Sequence, residues 1–514
     1  MSRINTNVSS VVAQSHLSRA QRELTHRFER LSTGLRINRG ADDPAGLIIS
    51  ERIRSDVEGV NSGIKNSERA SSVIATTESA LAEVGDLLNS VKSLLVESAN
   101  TGGNSPEERN ANQLQIDSAI DSITRISNTA SFGRLKLLNG SLDYNLSGVK
   151  SSAISKVQIW NASLVNSPTL QVNVDITTSA QKAALYHKGG TPAGVLLSAM
   201  QIEVAGPKGV QVLNFPSNTP LASVVTAVNN TTGLTGLTAA LINNNANSGM
   251  VFRSSDYGSD SFVSVKRIGA PATGDSFSSE TYKYSANAAP SVAAPFDWVT
   301  NLVTAQRDEG QDVQALVNGA LAKGRGLSLN VSSGSLGADI LLNEALAIRP
   351  AAAVSTFTIT GGGSLFQVGP EVTGLQQSNM GIPSVSATRL GGTVINGTVQ
   401  FLNSIRSGQG NSIAELVTRG DFTAANSVLE KAIDEVSTLR GRLGAFERNV
   451  LQTNVRSLQS AFENLSASNS QIRDADFAME TSQLTRAQIL SSSGTSVLGL
   501  ANQQSQQVLQ LLGR

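Results

Sequence analysis

The reading of this chain turns on Leu31 to Arg54, LSTGLRINRGADDPAGLIISERIR. Ahead of it, Leu17, Leu24, Phe28, Leu31 and Leu35 trace an apolar stripe at coiled-coil spacing, which stops at Asn38-Arg39-Gly40. Asp43 is placed to cap a new helix that starts at Pro44, where the absent N–H is no loss. Leu47, Ile48 and Ile53 then resume the pattern. Two long helices joined by a short polar spoke suit assembly better than catalysis.

Toward the N-terminus, residues 1–36 read as one amphipathic helix beginning near Ile4, Val8 and Val11. Beyond the spoke, Val60, Ile74, Leu81, Leu88 and Leu95 hold one heptad position, broken only by Ser67. Val57 and Ile64 open a companion position that turns polar at Glu78 and Lys92. A seam this narrow requires partner helices. Ser105-Pro106-Glu107-Glu108 starts a further helix, with Ser at N-cap, Pro at N1 and acids in the first turn; its buried face is Ile116, Ile120, Ile123 and Ile126. Phe132-Gly133 through Asn139-Gly140 has strand and turn chemistry.

From about Val149 to Met380 charges thin out and short alternating runs appear, at Leu170–Ile176 and Ser355–Thr360, the second punctuated by Gly361-Gly362-Gly363. Leu221 to Val228 and Asp312 to Lys323 each fit a short helix. After Gly420-Asp421 a helical stripe returns through Leu429, Ile433, Val436, Leu443 and Val450 and continues at Leu458, Leu465 and Ile472. The eight-residue step from Val450 to Leu458 moves the seam around the helix. Leu490, Val497, Ala501, Val508 and Leu511 close the chain at three-and-four spacing.

The fold class expected is therefore mainly α at both ends, in long coiled-coil helices from discontinuous segments, with a β-rich α+β insert between them. A monomeric bundle is the plain alternative. Sparse apolar content and abundant Gln, Ser and Asn at the ends argue instead for helices that order against partners.

Composition narrows the function. With 40 Lys+Arg against 40 Asp+Glu the chain has no global field for nucleic acid or an anionic membrane. It has no cysteine, and its histidines are His16, His26 and His187, which leaves little for thiolate chemistry or a histidine metal site. No signal peptide or bilayer-spanning apolar run is evident. Asp42-Asp43 reads as capping chemistry rather than an acid–base pair. Gly206-Pro207-Lys208-Gly209 and Gly361–Gly363 lack the Lys-Ser/Thr tail of a phosphate loop and read as turns. Catalytic, cofactor-binding and metal residues are expected to be none.

LSTGLRINRGADDPAGLIIS at 31–50 closely resembles the N-terminal signature of bacterial flagellins, and RDADFAMETSQLTRAQILSSSGTSVLGLANQQSQQVLQLL at 473–512 is similar to their C-terminus. FTITGGGSLFQVGPEV at 357–372 resembles inserted segments of longer flagellins. The resemblance covers roughly residues 1–140 and 385–514. It implies a filament subunit with residues 1–42 and 468–514 as inner coiled-coil segments, 43–176 with 380–467 as an outer helical domain, and 177–379 as a surface insert. It also implies export to the extracellular flagellum without a cleaved signal peptide. The implied partners are further flagellin subunits, in a homopolymer or mixed filament, the filament cap, hook–filament junction proteins and an export chaperone at the C-terminal segment, with no nucleic acid and no membrane insertion. A junction protein, or a coiled-coil adhesin whose insert binds a ligand, are the rival readings.

Subunit contacts are expected at Leu17, Leu24, Phe28, Leu31, Arg36, Asn38, Arg39, Asp42, Asp43, Ile489, Leu490, Val497, Val508 and Leu511. By the same resemblance the helix matching Leu88 to Ala99 is the one a vertebrate Toll-like receptor recognises, with Val91, Lys92, Leu94 and Val96 facing it. Ser90 and Ser93 stand where such flagellins usually carry Arg and Glu, which predicts weak recognition.

Overall fold

The computed structural model describes residues 6–512, apart from 165–166, 188–193, 197, 270–280, 285–301, 350–353 and 396. Ile4 lies outside them, as do the side chains of Val508 and Leu511. The long helices are α1 (Val8–Thr33), α2 (Pro44–Ala99) and α3 (Pro106–Thr129). After the β-rich region come α4 (Ile413–Arg419), α5 (Thr423–Phe446), α6 (Gln452–Arg473) and α7 (Phe477–Leu512). Helical ends flank a β-rich middle, as the patterning requires.

Local chemistry sets the ends of these helices. Asn7 caps α1 by accepting from the Ser10 amide at 3.0 Å. Helix α1 stops at Thr33 and not near residue 36, because Gly34 takes φ +72°, a left-handed cap that glycine adopts without strain. Asp43 Oδ1 accepts from the Gly46 amide at 2.9 Å and caps α2. Ser105 and Glu108 form the reciprocal capping box of α3. Between α5 and α6 the chain makes a π turn over Glu447–Leu451. That turn absorbs one extra residue, so the eight-residue step falls between buried Leu443 and Leu451 rather than between Val450 and Leu458.

Helix α2 corrects the seam drawn from sequence. Its first heptad position is buried at Val60, Ser67, Ile74, Leu81, Leu88 and Leu95. The companion is Gly63, Ala70, Thr77, Val84, Val91 and Ser98, all buried, while Val57, Ile64, Glu78 and Lys92 are half-buried. Small and hydroxyl residues obscured this second row. Thr77 and Ser98 stay in it by donating to carbonyls one turn back, those of Val73 and Leu94.

The chain divides into two compact units. The first comprises 1–70, 367–377 and 448–514; the second comprises 71–366 and 378–447. In the second unit Ile116, Ile120 and Ile123 are buried on α3. An eight-stranded antiparallel sheet runs in the spatial order Tyr144–Ser147, Val354–Gly362, Leu170–Thr178, Gln314–Val317, Ala320–Arg325, Ser328–Ser332, Leu336–Leu342 and Ile154–Ala162. A short hairpin, Ser131–Phe132 with Leu135–Lys136, precedes this sheet, whose first strand in chain order, Tyr144–Ser147, lies within the 43–176 segment. All eight strands feed one apolar cluster that includes Val172, Val174, Ile340 and Phe357. The Ala162 amide donates to Tyr144 Oη at 3.0 Å, which ties the two edge strands together. A five-stranded and a four-stranded sheet, with helix Leu221–Asn230, surround a separate core that includes Leu185, Val224 and Phe252.

Asp312 to Lys323 is not a helix but the strands Gln314–Val317 and Ala320–Arg325. Asn318-Gly319 decides this: both residues have positive φ, the geometry of a two-residue hairpin. Pro207-Lys208 likewise turns between Gly206 and Gly209, which pair directly.

Candidate assembly site

Within the first unit, α1 and α7 pack antiparallel. Asn7 Nδ2 donates to the Ala501 carbonyl at 2.9 Å at one end, and Arg27 meets Glu480 at the other. The side of α1 turned to α7 carries Ala13, Leu17, Ala20, Leu24, Arg27 and Leu31, all buried or half-buried. The matching side of α7 carries Glu480, Leu484, Ala487, Ser491, Gly494, Leu498 and Ala501. This seam is built largely of small residues. Phe28, Ile489, Leu490 and Val497 are not in it; each is more than half exposed.

Those outward residues form part of a larger apolar exposure. Val8, Val11, Val12 and Phe28 on α1, and Phe477, Met479, Ile489, Leu490, Val497 and Leu500 on α7, all stand largely in solvent. Burying the exposed portion of such side chains is worth on the order of 10 kcal/mol in total. A two-helix pair that spends small residues on its own seam and presents its large apolar residues outward lacks a core of its own.

The spoke between α1 and α2 is stitched to the break between α6 and α7. The Arg36 amide donates to the Arg473 carbonyl at 2.7 Å, and the Ala475 amide donates to the Gly34 carbonyl at 2.9 Å. Arg36 Nη2 also reaches the Ile472 carbonyl at 2.7 Å. Asp476 caps α7 through the amides of Ala478 and Met479. Nothing in the first break signals this pairing; the Asp474-Ala475-Asp476 turn is the only cue, and it lies in the distant C-terminal segment.

The spoke charges are engaged inside the chain. Asp42 Oδ2 accepts from the amides of Asn38 and Arg39, at 2.9 and 2.8 Å, and Oδ1 lies 3.1 Å from His26 Nε2. The Arg39 amide, followed by His26, holds the Asp42 carboxyl down at about 2. Asn38 Nδ2 donates to the Leu35 carbonyl, and Arg39 pairs with Glu29. Asp42 and Asp43 thus serve first as caps of their own loop, and no acid–base pair is formed. Ile37, overlooked in the sequence, is buried under this loop at 1% exposure.

Toward one end of the pair, buried Glu480 is clasped by Arg27 at 2.9 Å and Arg30 at 3.1 Å. Burial pushes this carboxyl up, but hydrogen bonds from the two guanidinium groups outweigh that and hold it below its ordinary value.

On α2 in the second unit, Val91 is fully buried and cannot face a receptor, because it occupies the companion heptad position. Lys92 pairs with Glu430 at 3.3 Å, Leu94 is half-buried, and Val96 is exposed. Among the described residues no group of three His, Cys, Asp or Glu is arranged to hold a metal, and no described helix is long and apolar enough to cross a membrane.

The family described as the bacterial flagellin N-terminal helical region matches residues 4–143, and that of the bacterial flagellin C-terminal helical region matches 427–512. The chain belongs to the flagellin family. It is similar along 99% of its length to flagellin of Salmonella choleraesuis (26% identity, 99% of that protein) and to B-type flagellin of Pseudomonas aeruginosa (28%, 99%). Flagellin E of Vibrio cholerae is 26% identical over 99% of this chain and 98% of its own. The solved structure of Xanthomonas campestris FlgL aligns with 82% of this chain at 12% identity and a TM-score of 0.27, a score at which no common architecture follows. As a member of a structural family, the chain is a subunit of the bacterial flagellar filament, outside the cell. The junction-protein and adhesin readings are not favoured.

Proposed function

We propose that the α1–α7 pair is the polymerising element of this flagellin, and that its outward apolar faces are buried by copies above and beside it. The observation that carries this is the exposed set on both helices, Val8, Val11, Val12 and Phe28 with Ile489, Leu490, Val497 and Leu500. Residues 1–42 and 468–514 line the inner tube, 43–176 with 380–467 form the outer tube, and 177–379 project from the surface. In the free subunit the terminal segments are unfolded, since their own seam is too thin to order them, and they fold as the neighbours cover them. Each copy contacts the next heterologously, and without ring closure such contacts propagate as a helix.

The same exposed residues of α7, Ile489, Leu490, Val497 and Leu500, suit an export chaperone that shields them before assembly. Export proceeds without a cleaved signal. The filament cap and the hook–filament junction proteins meet the terminal pair at the two ends of the polymer, and other flagellins enter where their seams match.

The test is a pair of charges on the outward faces. Val11→Asp with Ile489→Asp leaves the circular dichroism of the free subunit unchanged and abolishes salt-induced filaments. Filaments of normal length from that variant would refute the assignment.

A further inference from the structure

The terminal seam has a specificity problem. Its residues repeat at heptad spacing on both helices, and most are Ala, Gly, Ser or Leu, so sliding one helix by seven residues costs little packing. A filament in which copies paired in different registers would not have one lattice. The Gly34–Ala475 and Arg36–Arg473 bonds anchor one end of the pair, and along the seam a further determinant is needed to reject slipped pairings.

We infer that Glu480, held between Arg27 and Arg30, is a positioning residue that fixes the register of the α1–α7 pair; this rests on that pair being the polymerising element. Glu480 is the only acidic residue on this face of α7, and it is 5% exposed. Arg27 Nη1 contacts both of its oxygens, at 3.0 and 2.9 Å, and Arg30 Nη1 contacts one at 3.1 Å. Glu23 braces Arg27 from the preceding turn. Slipping α7 by a heptad in one direction brings Ala487 to the arginines, leaving Arg30 without its carboxylate and Arg27 with Glu23 alone. Slipping it the other way carries Arg473 toward Arg27 and Arg30, like charge against like. The arrangement therefore favours one register and opposes both neighbours.

A steric feature marks the same register. Gly494 lies against Leu17 so closely that a Cβ there would stand 3.3 Å from Leu17 Cδ1 and 3.5 Å from Leu17 Cβ. That separation suits a disulfide. Because the chain has no cysteine of its own, introduced pairs report register without background.

The experiment places Leu17→Cys with Gly494→Cys for the observed register, and Leu17→Cys with Ala487→Cys or with Ala501→Cys for the two slipped ones. The reporters are oxidised in filaments where they form a minority among unmodified chains. The parent background should give the Leu17→Cys/Gly494→Cys bond almost alone. Glu480→Ala should lower the ratio of observed to slipped bonds about tenfold or more. Inverting the cluster (Glu23→Arg, Arg27→Glu, Arg30→Glu and Glu480→Arg) should restore it, which a merely space-filling role would not allow. Exclusion of Glu480→Ala from filaments, with readmission of the inverted set, supports the inference equally. An unchanged ratio in Glu480→Ala, or an inverted set that fails to restore either the ratio or entry, overturns it. Absence of the Leu17→Cys/Gly494→Cys bond in the parent background would instead overturn the pairing on which the inference rests.

Discussion

Asn454 Nδ2 donates to Ser67 Oγ at 3.1 Å across the packing of α6 on α2, and the same amide group reaches the Val368 carbonyl at 2.7 Å. Ser67 is the one residue that interrupts the aliphatic heptad row of α2, and it is fully buried. What looks like a defect in the row is a polar tie holding the 367–377 segment against two helices. Gly63, one turn earlier, makes room for that segment: a Cβ there would lie 3.2 Å from the Val368 carbonyl oxygen and 3.1 Å from Leu458 Cδ1.

Restoring the heptad at this position should therefore harm the protein. Ser67→Leu is expected to destabilise by ~1–3 kcal/mol through overpacking and loss of the Asn454–Ser67 hydrogen bond, whereas Ser67→Ala costs about 1 kcal/mol. Thermal unfolding of the free subunit measures both. A stabilised Ser67→Leu variant would contradict the packing described.

The spoke predicts a pH dependence with a definite sign. The Asp42 carboxyl is depressed to about 2 in the folded chain, against about 4 when unfolded. Its contribution is therefore complete above pH 4 and is lost as pH falls toward 2. Removing two backbone hydrogen bonds to a carboxylate by Asp42→Ala should cost assembled filaments ~1–3 kcal/mol per subunit at pH 7. Filament melting followed from pH 7 to pH 2 should show the gap between wild type and variant narrowing. A gap independent of pH would contradict the capping role.

In the second unit, Lys156 Nζ meets Glu435 Oε1 at 2.6 Å with both side chains mostly buried, and it also reaches the Arg389 carbonyl. Burial pushes this lysine down, with Glu435 opposing the shift. Glu435→Ala strands a buried ammonium and should cost ~3–5 kcal/mol, while Lys156→Met with Glu435→Leu should recover most of that. Denaturant titration of all three chains separates the outcomes; equal losses in the single and double variants would be inconsistent with an ion-pair origin.

The outward strip of α2 in its last turns is Ser90, Ser93, Val96 and Glu97, since Val91 points inward. Neither serine offers the bidentate cation or the carboxylate that strong polar recognition uses. A Toll-like receptor reporter assay should show weak activation, rising when Ser90→Arg and Ser93→Glu are introduced together. A full response from the unmodified chain would refute this.

Large apolar residues and caps were legible in the sequence because their signals are local. Asp43 before Pro44, Ser105 with Glu108, and the row Ile74, Leu81, Leu88 and Leu95 all stand where their residue types require. What escaped depends on partners distant in the chain. Val84 and Val91 share a row with Gly63, Thr77 and Ser98, and hydropathy does not register hydroxyls that bond their own helix. At the terminal pair the bias was stronger. The helices touch through Ala487, Gly494 and Ala501, because small residues permit close approach, while Leu490 and Val497, the proposed contacts between copies, face outward. Asn318-Gly319 is itself a hairpin signal, set within a stretch whose apolar spacing also fits a helix.

The terminal pair is proposed to exist for polymerisation. Removing Val497 to Arg514 takes away the last part of α7, including exposed Val497 and Leu500 and the Ala501 carbonyl that Asn7 holds. The truncated chain is expected to stay soluble and largely folded by circular dichroism, and to yield no sedimentable filaments under salt conditions that polymerise the full chain. Filaments of the truncated chain, seen by sedimentation and electron microscopy, would contradict the account.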